Sequence, residues 1–202
     1  SNINKYAKFF DDLRKQGVDI YNGAKQGASW CDVFADYVYI QATSIEVGPK
    51  MIYQPLNGCG AGCKFSAGYY RNNKAFYRTP EVGDQIFFGE VGKETHTGIV
   101  VKVTDKMVYT VEGNTDNQVK AKSYQKTNGK IAGYGRPNWS LAVKALSADK
   151  PAEKPKESPK PSTPSKPTVA TKTYVVVCPK GLNIRKSYSD SSVFMLNNYL
   201  TN

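Results

Sequence analysis

The single histidine, His96, and the four cysteines, Cys31, Cys59, Cys63 and Cys178, are the side chains of this chain best suited to act as base and nucleophile near neutral pH. A thiolate attacks a carbonyl carbon when an imidazole can manage its proton, and the imidazole works when a third polar group fixes its tautomer. Cys31 lies in Gly27-Ala-Ser-Trp-Cys-Asp-Val-Phe34, where the pattern begins a helix. A helix N-terminus offers unbonded N–H groups and a partial positive charge, which favour a thiolate and can also hold an oxyanion. A buried structural cysteine is the other fate of such a residue, and local placement does not choose between the two.

His96 opens a strand in Glu94-Thr-His-Thr-Gly98. The strand-like runs 96–103 and 107–113 are joined by a short turn around Thr104–Lys106, so an antiparallel hairpin would pair positions whose numbers sum to about 209–211. His96 then faces residues 113–115, with Glu112 and Asn114 two apart on one face of the opposite strand. Either could orient the imidazole; a routine polar cross-strand pair is the plain alternative.

The remaining cysteines make neither a disulfide framework nor a metal site. Cys59 and Cys63 stand as C-x3-C in a Gly-rich stretch, but a second ligand pair is missing and the chain has one histidine. A local Cys59–Cys63 bridge and free thiols both remain open. No cofactor and no metal is expected.

The elements that must place these residues are helices first and strands afterwards. Tyr6, Phe9, Phe10 and Leu13 recur at helical spacing up to Gly17. A second helix starts near Ser29, with Ser29-x-x-Asp32 as its start signal, Ser29 as N-cap and an apolar stripe of Trp30, Val33, Phe34, Tyr37 and Val38 running on to Gln41. Residues 44–80 are loop-rich, with a short helix around Ser66–Arg71. Strands follow over Asp84–Gly89, His96–Val103, Met107–Gly113 and near Lys130–Tyr134. This order predicts an α+β domain with an antiparallel sheet over residues 1–143.

Six prolines between Pro151 and Pro167, spaced by Lys, Glu, Ser and Thr, mark residues 144–172 as an extended tether. Residues 173–202 follow with two short strands, Tyr174–Cys178 and Gly181–Arg185. The net charge of +11 divides roughly as +5, +4 and +2 over the three parts. It is not gathered into a basic helix or a Lys/Arg run in the folded part, so nucleic acid is not the expected partner. No apolar run approaches a membrane span, and no signal-peptide pattern opens the chain.

Four separated segments, Gly27–Phe34, Pro80-x-x-Gly83-Asp84-Gln-Ile-Phe-Phe88, Thr95-His-Thr-Gly98 and Val111-Glu-Gly-Asn-Thr115, resemble in order the CHAP family of cysteine, histidine-dependent amidohydrolases/peptidases. The resemblance implies a papain-like (NlpC-type) α+β fold and hydrolysis of peptidoglycan, as in phage endolysins and bacterial autolysins. It makes Cys31 the nucleophile, His96 the general base, Glu112 the orienting acid and Asn114 the accompanying amide. Some members bind calcium just before the cysteine, but here residues 17–27 hold one carboxylate, Asp19, and one lysine, Lys25, so no calcium site is expected. The stretch with Gly181-Leu-Asn-Ile-Arg185 is similar to the start of a bacterial SH3-like wall-binding domain.

The expected partner is therefore peptidoglycan, of a Gram-positive wall, met outside the cell by a monomer. Two bonds come into question: a peptide bond of the stem or bridge, and the N-acetylmuramoyl-L-alanine amide. The narrow groove of the implied fold favours the endopeptidase. Trp30, Tyr69, Tyr70, Phe76 and Tyr77 flank the site in sequence as sugar platforms for the amidase. A non-catalytic wall-binding protein on a hydrolase scaffold is the competing reading.

Overall fold

The computed structural model describes residues 2–58, 61–148, 174–177 and 183–186. Helix α1 (Lys5–Lys15) starts where the Asn4 side chain accepts from the Ala7 N–H at 2.8 Å. It buries Tyr6, Ala7, Phe10 and Leu13. Helix α2 (Cys31–Gln41) is the centre of the domain. It is buried on nearly every face, Asp32 and Asp36 included, so the single apolar stripe read from the sequence understates its burial. Its N-cap is Trp30 rather than Ser29, and Cys31 is its first residue.

The stretch 44–80 is more ordered than its composition implies, holding α3 (Gly48–Met51), α4 (Cys63–Asn72) and the two-residue strand β1 (Phe76–Tyr77). Strands β2 (Gln85–Glu90), β3 (Lys93–Val103), β4 (Met107–Thr115), β5 (Gln118–Gln125) and β6 (Ile131–Gly135) complete an antiparallel sheet ordered β1-β6-β2-β3-β4-β5. The domain is α+β, as expected. Strand β5 was not foreseen, because Gln-Val-Lys-Ala-Lys-Ser-Tyr-Gln lacks an apolar face and is mostly exposed at the sheet edge. Helix α5 (Trp139–Ala148) runs past the boundary placed at 143.

Alternation along the strands divides the core in two. Phe87, Ile99 and Val111 join the helices in the larger cluster, while Ile86, Phe88, Val100, Val108 and Tyr134 form a second one. Two glycines allow the close approaches that build the site. A Cβ on Gly98 would lie 2.4 Å from Glu112 Cγ, and one on Gly113 would lie 2.4 Å from Phe34 Cβ. The first lets β3 and β4 share one buried carboxylate. The second lets the end of β4 lie against α2.

An aromatic group steadies the start of α2. Tyr6 stacks on Trp30 at 5.5 Å between centroids and meets Phe34 edge-on at 5.0 Å. Such pairs are worth about 0.5–1.5 kcal/mol beyond the area they bury. Further along the chain, β7 (Tyr174–Val177) and β8 (Asn183–Lys186) pair antiparallel, with Val176 opposite Ile184. Most of residues 144–172 and 173–202, expected from the sequence as a tether and an SH3-like part, lies outside the described residues, as does Cys59; Cys63, its partner in the bridge left open above, is a free thiol.

Candidate active site

The first hydrogen bond of α2 runs from Phe34 N–H to Trp30 C=O at 2.9 Å. The N–H groups of Cys31, Asp32 and Val33 therefore have no acceptor within the helix, and the Cys31 side chain stands at its positive end. Cys31 is 4% exposed, and the imidazole of His96 hydrogen-bonds it.

His96 reaches the sulfur from the start of β3. The hairpin pairs Ile99 with Val111 and Val100 with Thr110, sums of 210. Across the other edge, His96 pairs with Phe88, whose ring lies 5.8 Å from the imidazole. His96 Nε2 contacts Glu112 Oε2 at 2.9 Å, which leaves Nδ1 for Cys31. Glu112 is 1% exposed. Its other oxygen accepts from Thr110 Oγ1 at 2.6 Å, the Thr115 hydroxyl lies 3.4 Å from Oε2, and Tyr124 also hydrogen-bonds the carboxylate. Burial works against its charge, but the bonds from His96, Thr110 and Tyr124 prevail and hold the carboxyl below its ordinary range.

Asn114 goes elsewhere. Its φ of 59° is left-handed, and the β4–β5 pairing shifts register between Glu112 and Thr115. Two-residue alternation therefore fails past Glu112. The Asn114 amide donates to Ser29 Oγ at 3.0 Å, and Trp30 Nε1 donates to Asn117 Oδ1 at 3.2 Å. The β4–β5 turn is thus fastened to the residues just before α2. Of the two orienting groups the sequence left open, the structure sets Glu112 on the imidazole and Asn114 on Ser29, whose hydroxyl in turn hydrogen-bonds Cys31.

A second set of contacts was not legible in the sequence. Cys63 Sγ lies 3.5 Å from Cys31 Sγ, and both residues are free thiols. Ser66, one turn along α4, donates to Asp32 Oδ2 at 2.7 Å, and Gln85 Nε2 of β2 donates to Asp32 Oδ1 at 3.0 Å. The Cys63 thiol has the largest influence on Cys31 and lowers its pKa. Burial opposes this, while the His96 bond and charge and the Ser29 hydroxyl add to it, bringing Cys31 down to about 4. At His96 burial disfavours the charged ring, but the bonds to Cys31 and Glu112 and their charges outweigh it and raise the group to about 9. Cys63 moves the other way, pushed up by its bond to Cys31, by burial and by the Asp32 charge. Across the neutral range the site therefore holds a Cys31 thiolate, a His96 imidazolium and a protonated Cys63.

Two of the five aromatic residues expected as sugar platforms are buried in the core. Trp30 is 3% exposed and Tyr70 is fully buried, so neither offers a ring face to a ligand; Tyr77 is exposed, while Tyr69 and Phe76 are half-buried.

Residues 23–114 match the CHAP domain family, a span that contains Cys31, Cys63, His96 and Glu112 and ends on Asn114. No curated protein and no solved structure matches the chain. That family comprises cysteine, histidine-dependent amidohydrolases and peptidases, so residues 23–114 are similar to a type of domain that acts on peptidoglycan.

Proposed function

We propose that this CHAP domain is a papain-like cysteine hydrolase that opens an amide bond of wall peptides, with Cys31 as nucleophile, His96 as acid and base, and Glu112 as the group that orients and charges His96. The observation that carries this reading is the continuous contact from the Cys31 sulfur through the His96 ring to the buried Glu112 carboxylate, at a helix start with free N–H groups. The Cys31 thiolate attacks the carbonyl carbon and the negative oxygen that forms is met by those N–H groups. The His96 imidazolium then gives its proton to the departing amine as the C–N bond breaks. Neutral His96 takes a proton from water, whose oxygen opens the thioester and returns Cys31 as the leaving thiolate. Asn114 acts at one remove, by holding Ser29 beside the sulfur.

The scissile bond is read as a peptide bond of the stem or bridge rather than the N-acetylmuramoyl-L-alanine amide. Burial of Trp30 and Tyr70 supports this choice, since it withdraws two of the rings an amidase would use to hold a sugar. The enzyme would work as a monomer on a Gram-positive wall, reached from outside the cell, with the Pro-rich segment spacing it from a wall-binding SH3-like part. The test is digestion of purified peptidoglycan, with labelling of new amines and mass spectrometry of the fragments. New amines on stem or bridge residues support the endopeptidase. New N-terminal L-alanine together with peptide-free glycan overturns it in favour of the amidase. No cleavage by the native chain would leave the wall-binding alternative.

A further inference from the structure

Cys63 is a buried thiol that the reaction above does not use, yet its sulfur is 3.5 Å from the nucleophile. It is the first residue of α4, whose N-cap is Gly62. The earliest bonds of that helix run from Phe65 and Ser66 N–H to Gly62 C=O at 2.8 and 3.1 Å, so the N–H of Cys63 is also without an acceptor in its helix. Two helix N-termini, of α2 and of α4, thus converge on one sulfur through residues of the same type. A second contact ties the same two turns, from Ser66 to Asp32, the neighbour of Cys31. The two contacts lie side by side, one at residues 31 and 63 and the other at 32 and 66, and Gln85 anchors the second to the sheet.

We propose that Cys63 is a positioning residue for the nucleophile. Its protonated thiol donates to the Cys31 sulfur and, with Ser66 on Asp32, holds the first turn of α2 against the first turn of α4, keeping that sulfur facing His96. The inference rests on the reading of Cys31 as nucleophile. The groups that face Cys31 explain why such a donor matters. His96 and Ser29 favour the thiolate, but burial and the adjoining Asp32 carboxyl oppose it. A thiol donor at the sulfur is a further stabilising contact from a separate element, and it cannot swing away, because Cys63 is 7% exposed within the core.

The experiment is the pH dependence of Cys31 alkylation by iodoacetamide in the full chain, with each cysteine followed separately by peptide mass spectrometry. In Cys63→Ala and Cys63→Val, which cannot donate, the midpoint for Cys31 should rise by about one pH unit or more. On soluble wall fragments kcat should fall with KM little changed. Cys63→Ser, whose hydroxyl still donates, should lie closer to the native chain on both. Unchanged midpoints in the Ala and Val variants overturn the proposal. Should both variants fail to fold, the native chain decides. Cys31 alkylated at acidic pH while Cys63 stays unmodified supports the assignment, and Cys63 reacting first overturns it. A chain that still cleaves wall with Cys31 and Cys63 joined in a disulfide also overturns it. Cys31→Ala separates the two levels: if that variant cuts wall normally the nucleophile reading itself fails, whereas a dead Cys31→Ala with unshifted Cys63 variants removes only the role of Cys63.

Discussion

Glu112→Gln tests the electrostatics of the site with the least change of shape. A glutamine fits the same space, and its carbonyl oxygen can still accept from His96 Nε2. Its amide can donate to the Thr110 hydroxyl, which rotates to accept. What is lost is the charge beneath the imidazolium. Hydrogen bonds to charged groups contribute about 1.5–3 kcal/mol and neutral ones about 0.5–1.5, so the loss is about 1–1.5 kcal/mol, or close to one pH unit on His96. His96 titrates at about 9 in the native site. Lowering it to about 8 leaves the ring more than about 90% protonated at pH 7, but only about one-eleventh protonated at pH 9, where the native site keeps about half. The variant should therefore work within a few-fold of native at pH 6–7 and show about a fivefold greater deficit at pH 9.

The assay is kcat/KM on soluble wall fragments from pH 5 to 10. Asn114 cannot rescue the charge, because its amide is held on Ser29. The more severe Glu112→Ala removes the acceptor altogether and leaves the Thr110 and Tyr124 hydroxyls facing a gap, so it should lose activity at every pH. An alkaline limb that stays in place in Glu112→Gln, with a uniform loss across the range, would refute the assignment of Glu112 as the group that sets the charge of His96.

Gly98→Ala places a Cβ 2.4 Å from Glu112 Cγ and 3.0 Å from the Val111 carbonyl oxygen, so it should cost about 1–3 kcal/mol in a urea titration and pull the alkaline limb down as Glu112→Gln does. Burial, against the bonds from Ser66 and Gln85, raises Asp32 from 3.8 to about 7, so the folded chain holds its proton more tightly and stability from this group falls between about pH 4 and 7. Asp32→Asn removes that fall. Its urea midpoint should drop less than the native one between pH 5 and pH 8, and an equal drop would show that Asp32 does not titrate in this window. A chain ending at Ala148 should keep the native melting temperature and activity on soluble fragments. One ending at Val143 should melt lower, because a single turn cannot hold Trp139 against Tyr39 or keep Ala142 buried.

The His96–Glu112 pair was legible because a short hairpin fixes it locally: once two strands and a tight turn are recognised, register follows from arithmetic. Asn114 defeated the same arithmetic two residues later. A left-handed residue ends the alternation, and an asparagine in a strand-like run gives little warning of it beyond its tolerance for that conformation. Ser29 misled in a similar way. Its spacing to Asp32 matches a helix start signal, but the hydroxyl serves Asn114 and Cys31 while the helix begins one residue later than a Ser29 cap requires. Helix α5 was hidden by a composition boundary, since the Pro-rich run draws the eye before the helix has ended. Cys63 was beyond reach for another reason. Its contact with Cys31 joins two helix starts through a loop-rich stretch with no periodic pattern, so only tertiary packing brings the sulfurs together.

That packing also explains how a buried site tolerates so many acidic groups. Cys31, Asp32, Asp36 and Glu112 are all buried, and among the described residues His96 is the positively charged group that contacts them in the site. Four negative charges against one imidazolium would be costly in such surroundings. The site avoids this by assigning the protons unequally. Glu112 is charged, because three donors and the imidazolium surround it. Cys31 is charged, because His96, Ser29 and Cys63 point at its sulfur. Asp36, which accepts from the Tyr21 hydroxyl at 2.8 Å, is pushed well up by burial and by Asp32, which favours its protonated form. Asp32 sits between, with two donors but a thiolate next to it. Its value lies less in charge than in geometry: one carboxyl accepts from α4 and β2 at once and so locks both to the first turn of α2. The same turn presents the thiolate and the free N–H groups, which is why contacts that look structural on α4 bear directly on where the Cys31 sulfur stands.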